Sequence, residues 1–297
     1  MSARKSPTIM RNARLKSPVK ILAVLAHPDD EAFGMGGTLA HYARHGAEVN
    51  LICATLGEAG VVEPGYLSNG QTVAELRGQE LRCSADALGL KEVILLGYRD
   101  SGMQGSPDNS HPNALAAQNL DDVVQKIEAH MRALQPDIVL TFDPFGGYGH
   151  PDHVRIHEAA TLAFLKIRSE MPAEARRPFS RLYYHVMPAG FLRAAIFMMR
   201  LKGLDPRKAG ANEDIDLVAI SSNRYQTHAR VHYRDSADAQ KSAIACHASQ
   251  GGTQRAKGFS ALVERLFMPR VDNFIQAFPP PKPRAGRARG LLQGLGE

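Results

Sequence analysis

The chain has 297 residues, 44% of them hydrophobic and 22% charged, the composition of a globule with room for a sizeable core. No apolar run approaches the roughly 18 residues of a membrane-crossing helix. The opening MSARKSPTIMRNARLK lacks the apolar centre of a secretory signal, so neither export nor a membrane span is expected and a cytoplasmic location is. The formal net charge of +6 sits in two tails: residues 1–20 carry +6 and residues 281–297 carry +3, which leaves −3 on the body between them. A folded nucleic-acid binder carries its basic stripe on the body, so that class is set aside. The expected organisation is a flexible basic tail over 1–19, one main domain over 20–278, and a flexible Pro/Arg-rich tail over 279–297 (Pro279, Pro280, Pro281, Pro283).

Taken in chain order, KILAVLA from Lys20 reads as a strand, GGTLAHYARHG as a helix closed by Gly46, and AEVNLICAT as a second strand. Residues 72–89 place apolar side chains at helical spacing and end at Gly89, with KEVILLG as a third strand behind them. Residues 117–134 are helical, and DIVLTF after Pro136 is a fourth strand. This alternation predicts an α/β fold, Rossmann-like, with a mostly parallel sheet and helices on both faces. Beyond residue 160 the spacing predicts a helix over 153–168, strands near RLYYHVM and IDLVAI, and a helix over 235–249. The apolar stretch 189–199 is assigned to core or oligomer packing, with a substrate-contacting wall as the alternative. Cys53, Cys83 and Cys246 are too few and too scattered for a disulfide framework, so inert buried thiols are expected, with a nucleophilic Cys246 as the alternative.

In open α/β sheets, ligands collect outside the carboxyl ends of the strands. The first strand runs into His27-Pro28-Asp29-Asp30-Glu31, and the fourth into Asp143 and then Gly146-Gly147-Tyr148-Gly149-His150-Pro151-Asp152-His153. Two strand ends therefore repeat His-Pro-Asp followed by a further candidate ligand. Imidazole nitrogen and carboxylate oxygen are zinc donors, and a catalytic site keeps three protein ligands plus water. His27, Asp30 and one histidine of the second cluster make such a set, with Asp29 free to act on the water. His157 competes with His153 but sits deeper in the helix. The competing explanation is that these acids cap helix N-termini.

AHPDDE (26–31), the GMGGT that follows and GGYGHPDH (146–153) resemble the zinc-dependent LmbE/PIG-L N-acetylglucosamine deacetylases, and YRDSGM (98–103) resembles the bacterial members acting on glucosaminyl-inositol or glucosaminyl-malate. The resemblance covers roughly residues 20–165, with an echo at KSAIACHASQ (241–250). It implies a Rossmann-like fold, zinc ligands His27, Asp30 and His153 (Zn2+, with Fe2+ as the alternative in the cell), and Asp29 as base and then acid. It further implies His150 and Tyr148 at the oxyanion and carbonyl, Asp152 orienting a histidine, and Arg77, Asp100 and His247 lining the substrate. The expected activity is metal-dependent hydrolysis of an N-acetylated amino sugar or its conjugate. An amidase for a larger amide and a non-catalytic sugar-binding protein remain as alternatives. The expected partner is a small-molecule amino sugar, with homo-oligomerisation left open. A dinucleotide site is rejected, because the third glycine of GxGxxG would fall at Leu39. No GxSxG elbow of a serine hydrolase is present.

Overall fold

The computed structural model describes residues 17–62, 64–172, 175, 177–210, 213, 215–223, 225–253, 270–281, 286–293 and 295. Its framework is a seven-stranded sheet in the order β3-β2-β1-β4-β5-β7-β6. The strands are β1 (Lys20–Leu25), β2 (Glu48–Cys53), β3 (Glu92–Leu95), β4 (Ile138–Phe142), β5 (Arg181–Val186), β6 (Ala229–His232) and β7 (Val271–Phe278). The first five pair in parallel, whereas β7 pairs antiparallel with both β5 and β6. β1 and β4 carry almost uninterrupted buried apolar side chains, as strands covered on both faces must. The helices are α1 (Gly36–Arg44), α2 (Val73–Leu88), α3 (Leu120–Leu134), the single turn α4 (Gly146–Gly149), α5 (Pro151–Ser169), α6 (Ala189–Leu201), α7 (Leu217–Ser222) and α8 (Ala237–Cys246).

Local chemistry sets several boundaries. The Thr72 hydroxyl accepts from the Glu75 N–H while the Glu75 carboxylate accepts from the Thr72 N–H, a capping box that starts α2. Gly89 ends that helix in the left-handed region (φ 74°). Among the glycines after AHPDDE, Gly37 is required by close packing, because a Cβ there would lie 2.3 Å from the Tyr233 ring.

Three expectations change, for IDLVAI, for Cys83 with Cys246 and for the C-terminal tail, and the stretch 189–199 takes a definite form. IDLVAI is not a strand: its end forms α7, because the Asp216 carboxylate accepts from the Val218 and Ala219 N–H groups and caps a helix instead. The stretch 189–199 lies in α6, which buries Leu192 and Ile196 but leaves Phe197 64% and Leu201 70% exposed. Cys83 and Cys246 are not free thiols; they form a disulfide between α2 and α8, and Cys53 alone is a buried thiol. Their 163-residue separation in the chain hides the pairing. The C-terminal tail is docked where it is described: Ala288 bridges to Ala229, and Leu291 is fully buried, its N–H donating to the Tyr42 hydroxyl at 2.7 Å. The basic tail over 1–16 and residues 282–285 lie outside the described residues.

β7 is tied to α1 by Asp272, whose carboxylate accepts from the Thr38 N–H (3.1 Å) and hydroxyl (2.6 Å). Burial pushes this carboxyl up to about 7, against the pull of the two Thr38 bonds. A folded-state value above the unfolded one contributes stability that is complete below the unfolded value and is lost as pH rises through about 7. Asp272→Asn removes that dependence while keeping an acceptor for Thr38. The variant's melting temperature, relative to the parent's, is therefore expected to rise between roughly pH 4 and pH 8. A constant difference across thermal melts in that range would contradict the assignment.

Candidate metal centre and active site

From β1 the chain builds outward through β2 to β3 on one side, and from β4 through β5 on the other. The loops after the adjacent strands β1 and β4 thus diverge at the topological switch point, where a crevice opens. The β1 loop supplies His27 to Glu31. The β4 loop turns through α4 with Gly146, Gly147 and Gly149 all at positive φ. A Cβ on Gly146 would lie 2.9 Å from the Val154 backbone nitrogen and 3.0 Å from the His153 Cβ, so that turn needs glycine to bring His153 inward. His150 is the N-cap of α5: its Nδ1 accepts from the Asp152 N–H at 3.2 Å. Asp29, by contrast, makes no side-chain cap bond. Capping thus explains one histidine and leaves the acids unexplained.

The two loops converge. His27 Nδ1 lies 3.2 Å from His153 Nε2, and Asp30 reaches both rings, at 3.6 Å from His27 Nδ1 and 3.3 Å from His153 Nε2. His153 Nδ1–H donates to the Gly146 carbonyl (3.1 Å), and Phe142 stacks on its ring with centroids 3.9 Å apart. His27 Nε2–H donates to Asp152 (3.1 Å), with Asp100 at 3.4 Å. Those outward bonds leave His27 Nδ1 and His153 Nε2 as facing lone pairs beside a carboxylate. Burial alone would lower His27, but Asp100, Asp152 and Asp30 hold it well above the usual imidazole value. The same imidazoles keep Asp30 well below the carboxylate range despite its burial. A site that draws a proton between two imidazole lone pairs and a carboxylate has the donor set and charge for a divalent cation. His157 stays outside it, its Nδ1–H donating to the Phe142 carbonyl at 2.8 Å.

Asp29 adjoins this centre with backbone φ 118°, a conformation that non-glycine residues rarely hold. Its carboxylate accepts from Arg77 at 3.0 Å, and burial raises it to about 6 against the pull of that guanidinium. His150 is kept neutral: burial, then His27 and His153, lower it to about 2. With Nδ1 already an acceptor, its Nε2 carries the proton. Tyr148 stands edge-on to His153 and His150, with centroids 4.9 and 5.9 Å away, and burial lifts its phenol well above the ordinary value.

The three residues expected along the substrate are buried and bonded to protein groups in and behind the site. Arg77, 4% exposed, donates to the Pro28 and Gly57 carbonyls as well as to Asp29. Asp100, also 4% exposed, accepts from the Gly102 and Ala59 N–H groups beside His27. His247 is fully buried and directs Nε2 to Glu31 at 2.6 Å. Ser101 went unnoticed: its N–H (2.9 Å) and hydroxyl (2.5 Å) both donate to Asp152. Glu31 was also missed as a functional residue, although it stands inside the motif. Converting Asp152 to Asn removes the negative charge that accepts from His27 Nε2–H and, in one amide orientation, sets an N–H against that ring. Divalent-metal affinity is then expected to fall about 10- to 100-fold, measurable by competition with a chromophoric chelator; unchanged affinity would remove the orienting role.

The family model for PIG-L, GlcNAc-PI de-N-acetylase, matches residues 22–164. A 1D-myo-inositol 2-acetamido-2-deoxy-alpha-D-glucopyranoside deacetylase of Rhodococcus erythropolis is 33% identical over 94% of this chain and 98% of its own length. The chain belongs to the PIG-L family. The protein of the same description from Actinosynnema mirum is 41% identical, but that match spans 50% of this chain and only 56% of the relative. Among solved structures, the 4-carboxy-2-hydroxymuconate hydratase GalB of Pseudomonas putida matches with TM-score 0.56 at 19% identity, covering 90% of this chain and 100% of that one. At that identity the likeness speaks for the fold. The HPDDE and HPDH segments, 27–31 and 150–153, lie in the part of the chain matched by the family model. Among the described residues no helix is long and apolar enough to cross a membrane.

Proposed function

We propose that this PIG-L family member is a zinc-dependent N-deacetylase that hydrolyses the acetamide of an N-acetylglucosamine-type conjugate. The observation that carries the reading is the convergence of His27 Nδ1, His153 Nε2 and Asp30 within 3.2–3.6 Å of one another, beside a carboxylate, Asp29, outside that set. A bound zinc ion, or ferrous iron in its place, would supply Lewis acidity, lowering the pKa of water and polarising the amide carbonyl.

The remaining work falls to this chain's side chains. Asp29, at about 6, is ionised at neutral pH and takes the proton of the attacking water, then returns it to the departing amine. Arg77 fixes that carboxylate in place. Neutral His150 offers Nε2–H to the oxygen on which charge develops, and Tyr148, held protonated, is a second donor. Asp152 and Asp100 orient His27, so both serve as positioning groups. A cavity of about 170 Å³ runs from Asp143 and Gly147 to Leu192, Ile220 and Tyr225. We assign it to the group attached to the amino sugar, with α6 as its wall.

An inositol conjugate is favoured as substrate by the descriptions of the Rhodococcus and Actinosynnema relatives, at 33% and 41% identity. The test is acetate release from N-acetylglucosamine, its inositol and malate conjugates, and N-acetylated oligosaccharides, using metal-loaded and chelated protein. Release that requires metal and is fastest with one conjugate is expected. Release that is indifferent to chelation, or absent with all of these amides, overturns the proposal.

A further inference from the structure

Glu31 is fully buried in the β1 loop yet takes no part in the chemistry above. Its Oε2 accepts from the backbone N–H of Asp29 at 3.0 Å. Its Oε1 accepts from the Ser84 hydroxyl at 2.5 Å and from His247 Nε2 at 2.6 Å. Ser84 is on α2 and follows Cys83; His247 ends α8 and follows Cys246. The two anchors of Glu31 are thus the chain neighbours of the two halves of the Cys83–Cys246 disulfide. Cys83 is exposed and Cys246 is half-buried, so the bond is open to a thiol reductant. Glu80, on α2, adds a second tie by accepting from the N–H (2.8 Å) and hydroxyl (2.7 Å) of Ser249, in the short helical turn 248–250 that follows α8.

We infer that Glu31 positions the backbone of Asp29, as Arg77 does its carboxylate, and that the Cys83–Cys246 disulfide holds the two anchors of Glu31 together, so that deacetylation is faster in the oxidised protein than in the reduced one. The backbone of Asp29 sits at φ 118°, where it persists only if its surroundings impose it. One imposing contact is the Glu31 carboxylate on its N–H. That carboxylate has a single orientation only while Ser84 and His247 both donate to it, and the two donors arrive from different helices. Small displacements of a catalytic group are costly in rate even when binding is untouched. Opening the disulfide takes two electrons and two protons from a dithiol, which is itself oxidised to a disulfide, and leaves Cys83 and Cys246 as thiols. The Glu80–Ser249 bonds survive this step, so loosening rather than unfolding is the consequence.

The inference rests on the deacetylase reading, and its test has one arm that needs no substrate. Glu31→Gln must present an N–H either to the Asp29 N–H or to the Ser84 and His247 donors. Its kcat is expected to fall on the order of 10²-fold, with KM and metal stoichiometry unchanged, and Glu31→Asp to recover part of the loss. Dithiothreitol should slow the parent protein several-fold, reversibly on reoxidation. The Cys83→Ser/Cys246→Ser double variant should show the slower rate with or without reductant. Hydrogen exchange over 29–33 should quicken in Glu31→Gln and in reduced protein, whether or not a substrate has been found. Absence of acetate release with quickened exchange defeats the deacetylase reading and keeps the positioning inference. Unchanged exchange in Glu31→Gln, or loss of kcat only in step with loss of metal, overturns the Glu31 role. A double variant as fast as the oxidised parent overturns the role of the disulfide.

Discussion

Asp29→Asn is expected to lower turnover by on the order of 10²–10⁴-fold, the span that a general acid–base group contributes, while the protein keeps its metal and its fold. Asparagine fills the same volume and can still accept from Arg77, which lies 3.0 Å from the carboxylate. It cannot take a proton from water or return one to the amine. The metal set proposed above, His27, Asp30 and His153, leaves Asp29 out, so elemental analysis of the variant should give the parent's stoichiometry. In the parent, activity should decline as pH falls, because the base must be ionised. Burial places its titration at about 6, and a neighbouring cation can only lower that value, so the acid limb lies at or below this point. A variant with near-normal turnover, or a parent profile without an acid limb, would take the base away from Asp29.

The second large effect concerns His150. Its Nδ1 is committed as the acceptor for the Asp152 N–H, and burial with two neighbouring imidazoles keeps the ring neutral. In the proposed mechanism Nε2–H is then a donor that needs no change of protonation as charge builds on the substrate oxygen. Removing one such donor costs on the order of 10²–10³ in rate, and His150→Ala is expected to lose that much kcat. It also removes the N-cap of α5, which costs about 1 kcal/mol and should appear as a small drop in melting temperature. His150→Asn restores a capping acceptor, so recovery of stability without recovery of kcat separates the two roles. Full activity in His150→Ala would exclude the oxyanion role.

The parallel half of the sheet and the convergence of its two motif loops could be read from residue order. Central parallel strands are apolar runs, and their carboxyl ends have to carry polar loops, so His27 to Glu31 and His150 to His153 announced themselves. The residues behind the site were less legible. Asp100, Arg77 and His247 carried expectations of substrate contact, and the sequence did not show that each also bonds to protein groups far away in the chain, Gly57 and Glu31 among them. Chemistry at the site and support of the site use the same residue types, and spacing does not separate them. The Cys83–Cys246 bond was illegible for a similar reason: two cysteines meet only through the packing of α2 on α8. IDLVAI misled because a β-branched run was outweighed by one capping aspartate, Asp216. β7 escaped because its inward Phe274 and polar Asp272 and Asn273 are all buried, which breaks the alternation that marks a half-covered strand.

The position of β7 bears on how the nascent protein matures. It lies between β5 and β6 in the sheet but follows both in the chain. During synthesis, among the described residues, β5 therefore emerges with one backbone edge unpaired, and β6 has no strand neighbour until residues 271–278 leave the ribosome. Exposed strand edges invite pairing with other chains. Slow or truncated translation before residue 271 should thus favour aggregation, and chaperone dependence should fall away once β7 has been made.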